Sequence, residues 1–203
     1  MFNTREKRER SLGTKLFLKG ARCIGPKCVT VRRPTRPGPH TKMRRSMSEY
    51  GKQLQEKQRI QWSYGLRERH MARLFAEALK NPAVTGEMVL RLLEERLDNV
   101  VFRLGLASSR SVARQLVGHG HLLVNGRKVT IPSYRVKPGD VITLRRESKD
   151  HPLFKELPNA LKNYEPPQWL FIDKDKLEGK VISRPKDFDM EFDVGMVVDY
   201  YSK

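Results

Sequence analysis

Arg96-Leu-Asp-Asn-Val-Val-Phe-Arg-Leu-Gly105, then Ser109-Arg-Ser-Val-Ala-Arg-Gln-Leu-Val-Gly118, then Leu122-Leu-Val-Asn-Gly-Arg-Lys-Val129, is the stretch on which the fold turns. The first part continues an apolar stripe of Val89, Leu93, Leu97, Val100, Val101 and Leu104. That spacing predicts one helix from Thr85 to a stop at Gly105. Ser109 (or Ser108) stands where it can cap a second helix, Arg110 to Val117, ended by Gly118. The period then changes from helical to alternating. Asn125-Gly126, set between Leu122–Val124 and Arg127–Val129, is a hairpin signal, because a tight primed turn needs positive φ at both residues. Tyr134–Val136, a Pro138-Gly139-Asp140 turn and Val141–Leu144 would complete a small sheet. Leu97, Val100, Val101, Leu104, Leu116 and Val117 are its candidate core.

Working outward, two more helices are expected upstream. Ser48 to Tyr64 is mostly polar, with Tyr50, Leu54, Lys57 and Gln61 at helical spacing, and Gly65 ends it. Leu66 to Lys80 carries Leu66, His70, Leu74 and Ala78 at i,i+4 and stops at Asn81-Pro82. Residues 1–45 show no periodicity and are broken by Pro26, Pro34, Pro37 and Pro39, so they read as an extended basic arm with one knuckle at Cys23 and Cys28. Downstream, a short helix is expected near Phe154–Leu161. Trp169–Ile172, Val181–Ser183 and Val194–Tyr201 are candidate strands. The expected class is α+β. Residues 1–45 form the arm, 46–93 a helical domain completed by 158–203, and 94–157 a small α/β domain of two helices on a short antiparallel sheet.

Charge says what such a chain meets. It has 41 Lys and Arg against 23 Asp and Glu, a net charge of +18 over 203 residues. The excess contributes nothing to a compact fold and points to a polyanion. It is concentrated in residues 1–45, which hold 14 basic and 2 acidic residues, and in 91–150, which hold 12 and 6. Residues 151–203 hold 8 and 10 and should be structural. No apolar run reaches the length of a membrane span, and the N-terminus has no apolar stretch of a secretory signal. Two cysteines fit a reducing compartment, so a cytoplasmic location is expected.

The candidate site is a basic rim on the 94–146 scaffold. The first helix presents Arg96. Arg110 and Arg114, at i,i+4, share a face of the second, with Gln115 next to them. The hairpin adds Asn125, Arg127 and Lys128, and the next strand adds Arg135. Guanidinium forks pair phosphate oxygens bidentately, which suits this row to a folded RNA. Asp98 is expected to fix a helix or pair an arginine. His121 is a candidate contact, although it and His119 fit solvated loop positions equally. Further candidates are Lys57 and Arg67 in the helical segment, and Lys19, Arg22, Arg32, Arg33, His40, Lys42, Arg44 and Arg45 in the arm. Catalysis finds no footing: the chain has no phosphate-loop motif, no nucleophile elbow and no His-Glu-x-x-His pattern. Asp187, Asp189, Glu191 and Asp193 alternate with Phe188, Met190 and Phe192 and read as a polar strand face or loop.

The quoted stretch, continued by Pro132-Ser-Tyr-Arg-Val-Lys-Pro-Gly-Asp140, resembles the S-four RNA-binding domain. Lys15-Leu-Phe-Leu-Lys-Gly-Ala-Arg-Cys23, Arg32-Arg-Pro-Thr-Arg-Pro-Gly-Pro-His40, Ser48-Glu-Tyr-Gly-Lys-Gln-Leu-Gln-Glu-Lys-Gln58 and Tyr200-Tyr-Ser-Lys203 extend the likeness to the bacterial ribosomal small-subunit protein S-four family. The resemblance implies a non-enzymatic ribosomal protein that binds the five-prime domain of small-subunit rRNA and nucleates assembly. It implies contact with protein S-five, a link to translational accuracy, and a place near the path by which mRNA enters, where Lys42, Arg44 and Arg45 would lie. Neither a membrane nor a small-molecule substrate is implied. Some members carry four cysteines near the start and bind zinc. This chain has Cys23 and Cys28, with Glu6 and Glu9 where the first pair would stand, so it offers at most a half site and no cofactor is expected. Two other readings share the small domain: an RNA-modifying enzyme that carries it as an appendage, and a factor rescuing stalled large subunits. The first lacks a catalytic domain here, and the full-length likeness favours the ribosomal reading over both.

Overall fold

The computed structural model describes residues 4–39, 46–80, 84–148, 154, 157–186 and 192–202. The chain divides into two compact units: residues 1–89 with 189–203, and residues 90–188.

The division falls within α5 (Thr85–Glu94), which leads in the second unit to α6 (Leu97–Arg103) and α7 (Arg110–Gly118). The single helix expected from Thr85 to Gly105 is therefore two. At the break Arg96 is extended, with φ −71° and ψ 136°, and forms an isolated antiparallel bridge with Arg135. Val136 N–H donates to Glu95 O at 2.9 Å, and Leu97 N–H to Tyr134 O at 2.8 Å. Residues 134–136 take backbone groups that an unbroken helix would keep for itself. Tyr134–Val136 is spent on this bridge and is not a strand of the sheet. α6 then ends where expected. Gly105, at φ 76°, donates to Phe102 O, and Leu106 N–H to Val101 O, which is a Schellman closure. The Ser109 hydroxyl caps α7 by accepting from Val112 N–H.

β1 (Leu122–Val124) and β2 (Arg127–Lys128) form the hairpin, with Asn125 at φ 51° and Gly126 at φ 75°. β3 (Val141–Leu144) pairs with β1, and β4 (Leu170–Asp173) and β5 (Glu178–Val181) extend the sheet in the order β2-β1-β3-β5-β4, antiparallel throughout. Residues 170–181 thus complete this sheet, whereas 158–203 was expected to complete the helical domain. Observed boundaries lie at 89/90 and 188/189 because the backbone of β3 finds its second partner in β5. That pairing also moves the expected strand at Val181–Ser183 back to 178–181. Ile142, Leu144, Leu170, Ile172 and Val181 point to one face. There they join Leu97, Val100, Val101, Leu104, Leu116 and Val117, and Leu161 of α8 (Leu157–Leu161), in a single core.

The first unit holds α1 (Thr4–Leu12), a 3-10 turn (Gly20–Cys23), α2 (Val29–Arg32), α3 (Glu49–Ser63), α4 (Glu68–Ala78) and α9 (Val194–Ser202). Over its described part the basic arm is more folded than its sequence suggests. The carboxylate of Glu9, 1% exposed, accepts from the N–H groups of Leu16 and Leu18 at 3.1 and 3.2 Å. That folds Leu16 and Leu18 back beside Leu12 in a small cluster, against which Trp62 of α3 packs. In α4 the inward row is Met71, Leu74, Phe75 and Ala78, and His70 is exposed. Val194–Tyr201, expected as a strand, is helix α9. Asp193 accepts from Met196 N–H at its start. Val194 and Val197 are buried, and Tyr201 stacks on Phe75 with ring centroids 4.5 Å apart.

Candidate nucleic-acid interface

Two buried carboxylates organise the basic side chains of the second unit. Glu94, 2% exposed, accepts from Arg103 Nε and an Arg103 terminal nitrogen at 3.1 Å each, and from Asn99 Nδ2 at 2.8 Å. Asn99 in turn accepts from Arg110 Nε at 2.8 Å. The Arg110 guanidinium also lies 4.7 Å over the Phe102 ring. Asp98, 4% exposed, takes both forks of Arg96, at 3.1 and 2.8 Å, and one nitrogen of Arg114 at 3.4 Å. A guanidinium gripped along one edge has lost most of its rotamer freedom, and its remaining N–H groups keep a fixed direction. α6 and α7 therefore present Arg103, Arg110 and Arg114 as a preset row.

The arrangement separates the sequence candidates. Arg110 and Arg114 are brought together, Gln115 is exposed beside them, and Arg127, Lys128 and Arg135 are exposed. The Lys128 stem crosses Gly120, where only the missing Cβ leaves it room. Arg96 lies beneath the rim: it is 6% exposed and its fork is spent on Asp98. Asn125 braces the turn, donating to Asp140 Oδ1 at 2.8 Å and accepting from Val141 N–H at 2.9 Å. His121 Nδ1 lies 3.0 Å from Ser148 Oγ. Sequence reasoning missed Arg103. The signal that would have found it is Glu94, a carboxylate set among the apolar residues of α5 with an arginine nine positions on. Asp98, expected to fix a helix or pair an arginine, pairs two.

In the first unit, Lys19 and Arg22 both reach Glu6, at 2.9 and 3.5 Å. Arg32 and Arg33 are exposed at the end of α2, and Arg67 is exposed before α4. Lys57 is buried and acts inside the fold. Its ammonium meets Glu68 at 3.0 Å and lies 4.6 Å over the Tyr200 ring. Burial alone would lower its pKa, but the bonds to Glu68 and Tyr200 win and raise it. His40, Lys42, Arg44 and Arg45 lie outside the described residues. Cys23 and Cys28 are both buried. Burial pushes the Cys23 thiol up, and the hydrogen bond with Thr30, 3.0 Å away, holds Cys28 down. Cys23 Sγ is 3.9 Å from Glu9, whose carboxylate is engaged by two backbone N–H groups. Among the described residues no group of three or more His, Cys, Asp or Glu is placed to hold a metal ion.

Comparison with known proteins fits this geometry. A family model described as "S4 domain" matches residues 95–142, and one described as "Ribosomal protein S4/S9 N-terminal domain" matches residues 2–94. The chain is 50% identical over 196 residues to the small ribosomal subunit protein uS4 of Dehalococcoides mccartyi, covering 96% of this chain and 94% of that one. It is 50% identical over 193 residues to the protein of the same name from Heliobacterium modesticaldum, covering 94% and 93%. The corresponding protein of Pelotomaculum thermopropionicum is 49% identical over 193 residues, with the same coverage.

Proposed function

This chain belongs to the family of small ribosomal subunit protein uS4, and from that premise we propose that it is a primary binder of small-subunit rRNA that helps nucleate subunit assembly. It is a structural, non-enzymatic protein of the ribosome, and so of the cytoplasm. The observation that carries the proposal is the preset guanidinium row: Arg103, Arg110 and Arg114, cations on α6 and α7, are each aimed by a buried group. Phosphate oxygens fit such a row of cations. Cations on phosphates release counterions, so affinity should fall steeply with salt. Specificity should come from the shape of the folded RNA, because duplex RNA hides its base edges in a deep groove. Crosslinking followed by sequencing of the bound RNA tests this. Recovery of the five-prime domain of small-subunit rRNA is the expected result, and recovery of tRNA or large-subunit rRNA would overturn it.

The family resemblance further supports contact with protein S-five, an influence on translational accuracy, and a position for Lys42, Arg44 and Arg45 near incoming mRNA. Photocrosslinkers at those three positions in assembled ribosomes should reach mRNA; crosslinks confined to rRNA would remove that assignment. We assign the Cys23–Cys28 knuckle no metal, because Glu9 already satisfies two backbone donors there. Stoichiometric zinc in the purified protein, lost on Cys23→Ser, would reverse this.

A further inference from the structure

α1, the 3-10 turn and α2 surround a recess of about 260 Å³. Its lining holds six cations, Lys7, Arg10, Arg22, Lys27, Arg32 and Arg33, with Glu6 and Val29. Glu6, the one carboxylate, is taken up by Lys19 and Arg22. Arg10 is fixed by donating Nε to the Thr35 carbonyl at 3.0 Å. Lys27, Arg32 and Arg33 have no acidic partner among the described residues. The cations come from three segments spread over 27 positions of chain, and only the fold around Glu9 brings them together. Crowding like charges in a concavity raises the local potential and costs free energy unless an anion enters.

We propose that this recess is a phosphate-binding cleft that takes a protruding phosphodiester where an RNA strand turns sharply. This rests on the rRNA-binding reading above and deepens it, giving the first unit a site of its own, separate from the guanidinium row. The recess is smaller than the clefts of about 300–1,000 Å³ that enclose drug-sized ligands. It has room for a phosphate group and the sugars beside it. Its lining is almost wholly cationic, so an acceptor-only group such as phosphate satisfies it, whereas a base edge, with donors of its own, does not. A smooth duplex meets a flat rim; a recess rewards a backbone that projects into it. Lys7, Arg10 and Lys27 join the residues that touch RNA.

Two measurements on the full chain test this. In an NMR titration with inorganic pyrophosphate, the side-chain signals of Arg10, Arg22, Arg32 and Arg33 should shift saturably. The response should vanish in the triple variant Lys27→Gln, Arg32→Gln, Arg33→Gln, whose three side chains are exposed and support no packing. With five-prime small-subunit rRNA, the variant should lower the slope of log affinity against log salt by about 0.7, the loss of one single-strand phosphate contact. It should also lose phosphate-ethylation interference at one backbone turn while keeping the interference due to Arg110 and Arg114. No saturable pyrophosphate shift would overturn the cleft. A saturable shift with slope and interference unchanged would make it a site for free anions and overturn the RNA assignment. If the wild-type chain binds pyrophosphate but no small-subunit rRNA, the rRNA reading fails with the RNA assignment, and the phosphate cleft stands.

Discussion

Asp98 is the residue on which the second unit depends most. Its carboxylate faces Arg96 across a pair in which both side chains are under 8% exposed, and Arg114 adds a third nitrogen. Removing one partner of such a pair strands the other charge in a poorly solvated place, at about 3–5 kcal/mol. Asp98→Ala should therefore lower the urea-unfolding free energy by that order, and it should release Arg114 as well. An unfolding midpoint close to wild type would show that Arg96 reaches water when its partner is lost. Gly105 carries a different constraint. It sits at φ 76° in the closure of α6, and an added Cβ would lie 2.7 Å from Leu161 Cδ2 and 2.8 Å from Tyr164 Cδ1. The left-handed conformation costs a residue with a Cβ about 1–2 kcal/mol. Overpacking against two side chains adds about 1–3. Gly105→Ala is expected to destabilise by about 2–5 kcal/mol in the same assay, and a loss of only about 1–2 kcal/mol would mean that Leu161 and Tyr164 move aside at little cost.

At the scale of elements, α9 joins the end of the chain to α3 and α4. Tyr201 donates to Glu68 at 2.7 Å and stacks on Phe75, and Tyr200 receives the Lys57 ammonium. Burial, then the hydrogen bond and charge of Glu68, push the Tyr201 phenol well above its ordinary value of 10. The unfolded chain gives up this proton near pH 10 and the folded chain holds it. The folded state then binds more protons, so stability falls as pH climbs past 10. Unfolding midpoints between pH 8 and 11 should decline more steeply for wild type than for Tyr201→Phe; parallel slopes would remove Tyr201 as the cause. The same helix shows where the sequence stops being legible. Val194, Val197, Val198, Tyr200 and Tyr201 are strand formers by propensity, and the local signal against them is a single cap, Asp193. The helix is chosen by Asp193 at its start and by partners well over a hundred positions away. The break at Arg96 is likewise made by a distant segment, Tyr134–Val136. α1 hid for another reason: among Thr4–Leu12 only Leu12 is apolar, and its anchor is a glutamate. By contrast Asn125-Gly126, Ser48, Ser109 and Gly105 were readable because a turn or a cap is decided by two or three neighbours. Of the site, Arg103 was missed and the candidates Arg96 and Lys57 lie buried, while Arg110 and Arg114 were legible as cations on one helical face. The buried acceptors that aim the row, Glu94 and Asn99, were not legible, since burial of a polar residue depends on what packs over it.

For the molecule as a whole, the proposal assigns RNA contacts to each of the two units. The quoted stretch and the matched domain end near residue 142, yet the core they belong to does not. Leu161, Trp169, Leu170, Ile172 and Val181 fill it, and β5 covers the open edge of β3. A fragment of residues 90–150 keeps the motif but loses these side chains and leaves that edge unpaired, which removes apolar burial and invites strand addition. Residues 90–188 keep both. The longer fragment is expected to unfold cooperatively with dispersed amide signals, and the shorter to be largely unstructured or aggregated. A folded 90–150 fragment would show that β4 and β5 are an embellishment. The longer fragment also isolates the guanidinium row from the arm. It should still select small-subunit rRNA, because Arg103, Arg110 and Arg114 remain aimed by Glu94, Asn99 and Asp98 within it. Its salt slope should be smaller than that of the full chain, because the cations of residues 1–45, including the recess beside α1, are gone. Equal slopes for fragment and full chain would place all of the phosphate contacts on one unit and end the two-surface description.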